Sequence, residues 1–291
     1  MSDRVLVTGA DGFVGTRLVA ELHRENYDVL THTLADGDIA RCPLPFQGVQ
    51  RVVHLAARTF VPESWESPRD FYETNLLGTV NVLEFCRRQQ ASLVLMSSYV
   101  YGRPQWLPIG EDHPLAAFNP YGHSKILAEE AARYFATQFG LRIATIRPFN
   151  IYGPGQGSQF LIPTLLRQAL DPGSDAITVA DSRPKRDHLH VDDLVSLLVL
   201  VVKGGAAGVY NAGSGRSVSI AELVDLINRS APRPKPLVSM DRTRADDVLD
   251  TVADCRKAER ELGWTPRVAL ADGIGELVRA AVSGQPAPAR P

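Results

Sequence analysis

The sequence predicts an α/β fold in which helices cover both faces of a parallel sheet, with a smaller, interleaved C-terminal lobe. The apolar run Val5–Val7 leads into a glycine-rich turn and a helical pattern. Short apolar runs then alternate with helical patterns as far as about residue 212. The chain has 291 residues, 44% of them hydrophobic, so it can bury a large core and a smaller lobe.

Composition excludes several classes of function. The formal net charge of -2 and the absence of a Lys/Arg cluster argue against a nucleic-acid partner. The three cysteines, Cys42, Cys86 and Cys255, are far apart in sequence and predict neither a metal site nor a redox pair. No run of about 18 apolar residues and no signal peptide is present, so we expect no membrane association and a cytoplasmic location.

The first strand ends in a turn suited to a dinucleotide. Gly9 allows a sharp turn, Gly12 allows the backbone to approach a pyrophosphate, and Gly15 allows the helix to pack on the strand. The helix N-terminus would offer free N–H groups to the phosphates. The residues predicted to contact the cofactor here are Gly9, Gly12, Phe13, Val14 and Gly15.

A second motif lies on a long helix that Asn119 and Pro120 open. Tyr121 and Lys125 are four residues apart, so they share one face of this helix. A phenol has a reference pKa of about 10, and a nearby ammonium would lower this pKa towards neutrality. The pair therefore predicts an acid/base centre.

These motifs, Thr8-Gly-x-x-Gly-Phe-x-Gly and Tyr121-x-x-x-Lys125, resemble the extended short-chain dehydrogenases/reductases. The resemblance covers about residues 4 to 275 and points to the NAD-dependent epimerase/dehydratase family, within its group of nucleotide-sugar 4-ketoreductases and 4-epimerases. It implies a doubly wound Rossmann sheet, a nucleotide-diphosphate sugar as ligand and a homodimer. The predicted division is a dinucleotide-binding domain at 1–150, completed by about 186–212, a substrate-binding lobe at 151–185 and 213–280, and a disordered tail at 281–291.

The second strand, residues 27–33, should meet the adenosine ribose, where an acid would bind the 2′-hydroxyl of NAD. His32 and Thr33 stand at that end, and Asp36 falls further into the loop. We therefore expect NADP or NAD, with NADPH slightly favoured. In the family a short third strand follows, and we assign it to Gly37-Asp38-Ile39. The resemblance places Asp38 and Ile39 near the adenine, and the equal alternative for Asp38 is a solvated turn residue. It also assigns to the cofactor Leu55, Ala56, Ala57, Asn75, Pro148 and Phe149.

The catalytic hydroxyl follows the strand at residues 93–96, but its position is open. Counting back from Tyr101-Gly102 selects Ser97, whereas counting forward along the strand selects Ser98. Family dehydratases carry an Asp-Glu pair after this hydroxyl, and this chain does not. A dehydratase is therefore disfavoured.

The resemblance implies substrate contacts in the second half of the chain and in the loop after the strand predicted at residues 51–57. The predicted substrate-binding residues are Thr59, Asn150, Arg186, Arg244 and Asp247. Arginine suits a diphosphate because its planar fork binds two oxygens at once.

The function that the sequence favours is NAD(P)-dependent reduction at C4 of a 4-keto-6-deoxy nucleotide sugar. The alternative is an NAD-dependent 4-epimerase, which would grip its cofactor firmly because its hydride returns to the same sugar. A non-catalytic, NADP-sensing regulator is a remote third hypothesis, which the Tyr121 and Lys125 pair argues against.

Overall fold

The computed structural model describes residues 3–242 and 248–284. Its strands are β1 (Arg4–Thr8), β2 (Asp28–His32), β3 (Arg51–His54), β4 (Ser92–Met96), β5 (Ile143–Pro148), β6 (Asn150–Tyr152), β7 (Ile177–Val179), β8 (Lys185–His190), β9 (Gly208–Ala212), β10 (Ser217–Ser219), β11 (Leu237–Ser239) and β12 (Asp250–Thr251). Its helices are α1 (Gly15–Arg24), α2 (Val61–Glu66), α3 (Pro68–Phe71), α4 (Gly78–Gln89), α5 (Pro120–Phe139), α6 (Leu161–Leu170), α7 (Val191–Gly204), α8 (Ile220–Ser230), α9 (Arg256–Leu262) and α10 (Leu270–Ser283).

The main sheet has six strands in the order β2-β1-β3-β4-β5-β9, and every neighbouring pair is parallel. Alternate residues of β1 face opposite layers, since Val5 and Val7 belong to the core under α1 and α7 while Leu6 belongs to the core under α4. The predicted doubly wound sheet is confirmed. Its order reverses beside β1, which is where ligands bind in open α/β sheets.

A second lobe is built from small sheets and three helices. Strand β8 lies between β10 and β12 and also pairs with β6, while β11 pairs with β7. Residues from α6, α8 and α10, including Leu165, Ile227 and Ile274, form its buried core. Helix α8 begins with the capping box that Ser219 and Glu222 predict.

Several sequence-based assignments need correction. Gly37-Asp38-Ile39 is not a strand, since Asp38 Oδ1 accepts a hydrogen bond from Ala40 N at 2.9 Å and closes a turn there. Strand β8, whose residues from 186 onward were grouped with the Rossmann domain, pairs in the second sheet. Helix α10 continues to Ser283, so residues 281–283 are helical, and the remainder of the predicted tail from 285 lies outside the described residues.

Within residues 3–242 and 248–284, no helix combines the length and apolar composition needed to cross a membrane. The same residues include no group of three or more His, Cys, Asp or Glu side chains placed to hold a metal ion.

Candidate active site

The glycine turn between β1 and α1 has the shape that a dinucleotide requires. Gly9 has φ of 66°, and a Cβ there would lie 2.7 Å from the backbone nitrogen of Ala56. A Cβ on Gly15 would overlap the Gly9 carbonyl oxygen. Helix α1 therefore starts directly against the turn, with half-buried Phe13 and Val14 before it. Thr16 N donates to the Gly12 carbonyl at 3.1 Å, and the first N–H groups of a helix are the kind of donors that can bind a pyrophosphate.

The outer edge of the site, at the end of β2, differs from the sequence-based expectation. Thr33 donates two hydrogen bonds to Asp36 Oδ2, one from its backbone N at 2.8 Å and one from Oγ1 at 2.9 Å. These bonds lower the pKa of Asp36, so its carboxylate is ionised at neutral pH. A carboxylate therefore does stand at the end of β2, although it comes from the following turn. The slight preference for NADPH, which rested on the absence of an acid at this strand end, stays a prediction.

The end of β3 forms the next wall. Leu55, Ala56 and Ala57 are half-buried there, and Ala56 N donates to Thr8 Oγ1 at 3.3 Å. The same Thr8 hydroxyl lies 2.7 Å from Nδ1 of His54, which burial and nearby Lys125 keep neutral by lowering its pKa to about 3. This bonding holds β1 and β3 in register where a cofactor would cross them.

Asn75 joins this wall to helix α5. It lies in a π-helical turn, Tyr72–Leu77, of the kind often found at functional sites. Its Oδ1 accepts from Arg58 N at 2.9 Å, and its Nδ2 donates to Ser124 Oγ at 2.9 Å. Ser124 Oγ in turn donates to the carbonyl of Tyr121 at 2.7 Å. The sequence reasoning missed Ser124, although its place between Tyr121 and Lys125 was a signal.

Helix α5 carries the predicted acid/base pair. Asn119 caps its N-terminus by accepting from Gly122 N at 2.8 Å, and Pro120 occupies the first turn. Lys125 is 5% exposed, and its Nζ donates to the carbonyl of Met96 at 2.8 Å. This bond ties the helix to the end of β4, where both candidate serines follow.

The ionisation of the pair differs in part from the sequence prediction. Burial raises the pKa of Tyr121, and a side-chain hydrogen bond with Ser98 opposes that rise. Burial lowers the pKa of Lys125 to about 8, and the charge of Glu129 opposes that fall. The expected depression of the Tyr121 pKa by Lys125 is therefore not found, because burial dominates the shift and Ser98, not Lys125, is the group that opposes it.

A buried ion pair, which the sequence reasoning missed, joins α5 to strand β5. Arg147 of β5 and Glu129 are 5% and 8% exposed, with Arg147 Nη2 and Glu129 Oε2 2.6 Å apart. Arg147 Nη1 also donates to the hydroxyl of Tyr101 at 3.1 Å. Glu129 lies one helical turn after Lys125, and that spacing was the available signal.

The two serines occupy different surroundings. Ser98 is half-buried, and its side chain lies close enough to Tyr121 to oppose the rise of the Tyr121 pKa. Ser97 is 3% exposed, and its Oγ has no hydrogen-bond partner among the described residues. The structure therefore brings Ser98 together with Tyr121, while Ser97 continues the β4 ladder through its N–H to the Ile146 carbonyl at 2.8 Å.

Phe149 lies at the centre of the residues that are predicted to contact the nicotinamide and the substrate. Its ring, 3% exposed, stacks on Tyr99 with centroids 5.1 Å apart and an interplanar angle of 16°. Asn150 accepts from the Tyr99 hydroxyl at 3.1 Å and donates to the carbonyl of Asp187 at 3.0 Å. Pro148 is buried at the end of β5, and Thr59 is exposed. The roles predicted for these residues stay predictions.

Arg186 lies on β8 of the second lobe, and its Nη1 donates to the carbonyls of Lys185 at 2.9 Å and Val248 at 2.5 Å. Its neighbour Asp187 is fully buried and accepts hydrogen bonds from Ser214 and Ala253. The other two predicted clamp residues, Arg244 and Asp247, lie outside the described residues.

The model of the NAD dependent epimerase/dehydratase family matches residues 5–213. The chain belongs to this family.

Relatives of known name agree with this placement. The chain is 31% identical over 300 residues to a putative UDP-glucose 4-epimerase of Methanocaldococcus jannaschii, covering 94% of this chain and 97% of that one. It is 33% identical over 305 residues to the GDP-6-deoxy-D-mannose reductase of Pseudomonas aeruginosa, covering 96% and 97%. The structure of RMD from Pseudomonas aeruginosa complexed with NADPH superposes with a TM-score of 0.88 at 29% identity, covering 97% and 100%.

This family member is therefore an NAD(P)-dependent enzyme of the nucleotide-sugar epimerase, reductase and dehydratase group. Its own residues fit such a cofactor, since a Cβ-free turn precedes a helix N-terminus, small residues line the end of β3, and a buried ammonium follows on α5. The hydroxyls of Tyr121 and Ser98 can hold and protonate a substrate oxygen.

Proposed function

We propose that the enzyme reduces the C4 carbonyl of a 4-keto-6-deoxy nucleotide sugar. When bound, a reduced nicotinamide supplies the hydride. The hydroxyl of Tyr121 gives its proton to the O4 oxygen as the carbonyl becomes an alcohol, and the raised pKa of Tyr121 keeps this proton in place until it is needed.

Ser98 and Lys125 have separate roles in this proposal. Ser98 orients O4 by a hydrogen bond, because its side chain is the one that reaches Tyr121. The Lys125 ammonium, held by the Met96 carbonyl, binds the ribose next to the nicotinamide and supplies positive charge beside the phenol. Asn75 and Ser124 hold the first turn of α5, where Tyr121 lies, in position.

Net reduction is favoured over epimerisation by the outer edge of the main sheet. Strand β2 is the edge strand, and residues 33–50 contribute one short 3₁₀ turn, Leu34–Asp36, and no further strand. An adenosine bound at this edge would meet that short turn and no further strand of residues 33–50. A sparsely built edge favours a cofactor that leaves after each turnover, as a reductase requires. The proposal depends on this observation.

The end of β4 argues against dehydration. Residues 98 to 100 are Ser98, Tyr99 and Val100, none of which is an acid. Tyr99 stacks on Phe149, and its hydroxyl donates a hydrogen bond to Asn150. Elimination of water needs an acid and a base beside the hydroxyl in addition to the hydride site.

The second candidate is NAD-dependent 4-epimerisation of a nucleotide sugar. The identity to a putative UDP-glucose 4-epimerase over 94% of the chain favours it. The Asp36 carboxylate also favours it, since an acid at the end of β2 is suited to NAD.

One experiment separates the two candidates. Purified enzyme is mixed with a reduced nicotinamide cofactor and a 4-keto-6-deoxy nucleotide sugar, and the nicotinamide absorbance and the sugar product are followed together. We expect one cofactor to be oxidised for each sugar reduced. Protein that carries tightly held NAD, interconverts C4 epimers and consumes no reduced cofactor would overturn the proposal.

A further inference from the structure

Arg17 joins the dinucleotide side of the molecule to the second lobe. It lies in the first turn of α1, directly after the glycine turn. Its Nη2 donates to the carbonyl of Pro154 at 2.9 Å, and its Nη1 donates to Asp192 Oδ1 at 2.9 Å. The proposed reaction assigns Arg17 no role, so the purpose of these two bonds is a separate question.

Each partner of Arg17 follows a strand that carries a predicted substrate residue. Pro154 lies two residues after β6, which carries Asn150. Asp192 is the second residue of α7, which follows directly from β8 and its Arg186. One guanidinium therefore connects the helix that would bind a pyrophosphate to both segments that would hold the nucleotide sugar.

The bond to Pro154 crosses an open part of the molecule. A cavity of about 1810 Å³ is lined both by the glycine turn, at residues 11–13, and by the loop at residues 153–156. Gly153 and Gly155 of this loop have φ of 152° and 85°, values that favour glycine. A Cβ on Gly155 would meet no heavy atom of the described residues within 4 Å. Side-chain packing therefore holds this part of the loop weakly, and the bonds of Arg17 supply a direct link across the gap.

The chemistry of Arg17 suits this link. The side chains of Arg17 and Asp192 are 20% and 21% exposed, so their ion pair is largely shielded from solvent. Such pairs are screened by salt less than exposed pairs are. A guanidinium also presents several N–H donors in a fixed fork, so it can bind a carboxylate and a carbonyl at once.

We infer that Arg17 is a positioning residue that couples binding of the dinucleotide to binding of the nucleotide sugar. A pyrophosphate on the glycine turn fixes the start of α1, and Arg17 then fixes the loop at residues 153–156 and the start of α7. The ligand that binds first orders both sides, so the second ligand binds more tightly. The inference rests on a nucleotide-diphosphate sugar as the ligand and is independent of whether the C4 reaction is reduction or epimerisation.

The test is a binding cycle on cofactor-free protein. Uridine diphosphate and guanosine diphosphate are titrated by calorimetry, and the tighter of the two is the probe. The coupling factor is the ratio of its Kd without NADH to its Kd with saturating NADH. For wild type we expect a factor of about ten, and the diphosphate should lower the Kd of NADH by the same factor because coupling between two ligands is reciprocal.

Arg17→Met removes both bonds and keeps most of the aliphatic stem. It should reduce the coupling factor to less than about two, while the Kd of each ligand measured alone changes little. Arg17→Lys keeps a charge beside Asp192 and loses the fork, so its coupling factor should lie between those of Arg17→Met and wild type.

Arg24→Met is the matched control on the same helix. Arg24 pairs with Glu21 of α1 at 2.6 Å, so this variant should keep the wild-type coupling factor. Thermal melts check that every variant folds, and Arg17→Lys carries the test if Arg17→Met does not fold.

Two results would overturn the inference. One is independent binding of the two ligands in wild type. The other is a wild-type coupling factor in Arg17→Met, even with both ligands bound more weakly, because that pattern is the one a purely structural role produces. Either result would leave the proposed reduction intact, since sugar turnover measures it. Failure of both diphosphates to bind in the presence of NADH would instead count against the nucleotide-sugar substrate and against the coupling together.

Discussion

The α5 site, which comprises Tyr121, Lys125, Ser98 and Asn75, and the β2 edge, which comprises Thr33 and Asp36, are built in opposite ways. In the α5 site, Lys125 and Asn75 are 5% and 1% exposed, and hydrogen bonds tie them to β4 and to the first turn of α5. At the β2 edge one exposed carboxylate is held by two bonds from a neighbouring residue. Burial amplifies electrostatic interactions, and exposure screens them. We therefore expect large effects on chemistry at α5 and smaller effects, confined to cofactor choice, at β2.

The largest expected effect is at Tyr121. Tyr121→Phe should lower turnover by a factor of about 10² to 10⁴, the range for lost acid/base catalysis, while the Kd values of NADH and NADPH stay close to wild type. Steady-state kinetics and cofactor titration check this. Tyr134→Phe, at an exposed position of the same helix, is the matched control. Wild-type turnover in Tyr121→Phe would show that α5 does not carry the chemistry.

The next effect concerns the substrate lobe. Arg186→Ala should weaken binding of a nucleoside diphosphate by about 1.5 to 3 kcal/mol, or about 10- to 150-fold, the range for hydrogen bonds to charged groups. Calorimetric titration of the nucleoside diphosphate measures this directly. Arg183→Ala is the control, because Arg183 is exposed and pairs with Asp181. An unchanged affinity in Arg186→Ala would place the diphosphate clamp elsewhere.

A smaller effect separates the two serines. Ser98→Ala should reduce kcat by more than about tenfold relative to Ser97→Ala, because Ser98 is the serine whose side chain influences the Tyr121 pKa. Both variants are measured with the same substrate, and thermal melts confirm that each folds. Equal losses, or a larger loss for Ser97→Ala, would mean that the buried Ser97 hydroxyl is the one that meets the sugar.

The smallest change is in the pH dependence. Burial lowers the pKa of Lys125 to about 8, so its ammonium predominates below that pH and is lost above it, while the raised pKa of Tyr121 keeps the phenol protonated. The rate of reduction should therefore be level below pH 8 and fall by about tenfold per unit above it. Lys125→Arg should remove this fall, since a guanidinium stays charged. A profile that is level to pH 10 in wild type would contradict the role of the ammonium.

The same contrast explains what the sequence could predict. Tyr121 and Lys125 lie four residues apart on one helix, and the glycine turn follows directly from a strand, so local spacing was sufficient for both. The six-stranded sheet also followed from alternating strand and helix patterns. Strand β8 is the exception and pairs in the second sheet, because strand pairing in a small lobe depends on distant partners such as β6 and β12.

The β2 edge could not be predicted in the same way. Asp36 lies four residues beyond the strand, and only the hydrogen-bonded turn brings its carboxylate back to Thr33. The rise of the Tyr121 pKa was also beyond the sequence, because it is caused mainly by burial, which depends on the tertiary structure. Glu129 and Arg147 pair between a helix and a strand, which no local pattern shows.

The central claim is that hydride is delivered to C4 of a nucleotide sugar at the α5 site. Deuterium labelling of the cofactor tests this claim most directly. A reduced cofactor that carries deuterium at its transferable position is incubated with a 4-keto-6-deoxy nucleotide sugar, and the product is examined by mass spectrometry and NMR. We predict one deuterium at C4 in a single configuration, both in wild type and in Asp36→Asn. Product without deuterium at C4, or sugar that exchanges its C4 configuration while the cofactor keeps its label, would contradict the account.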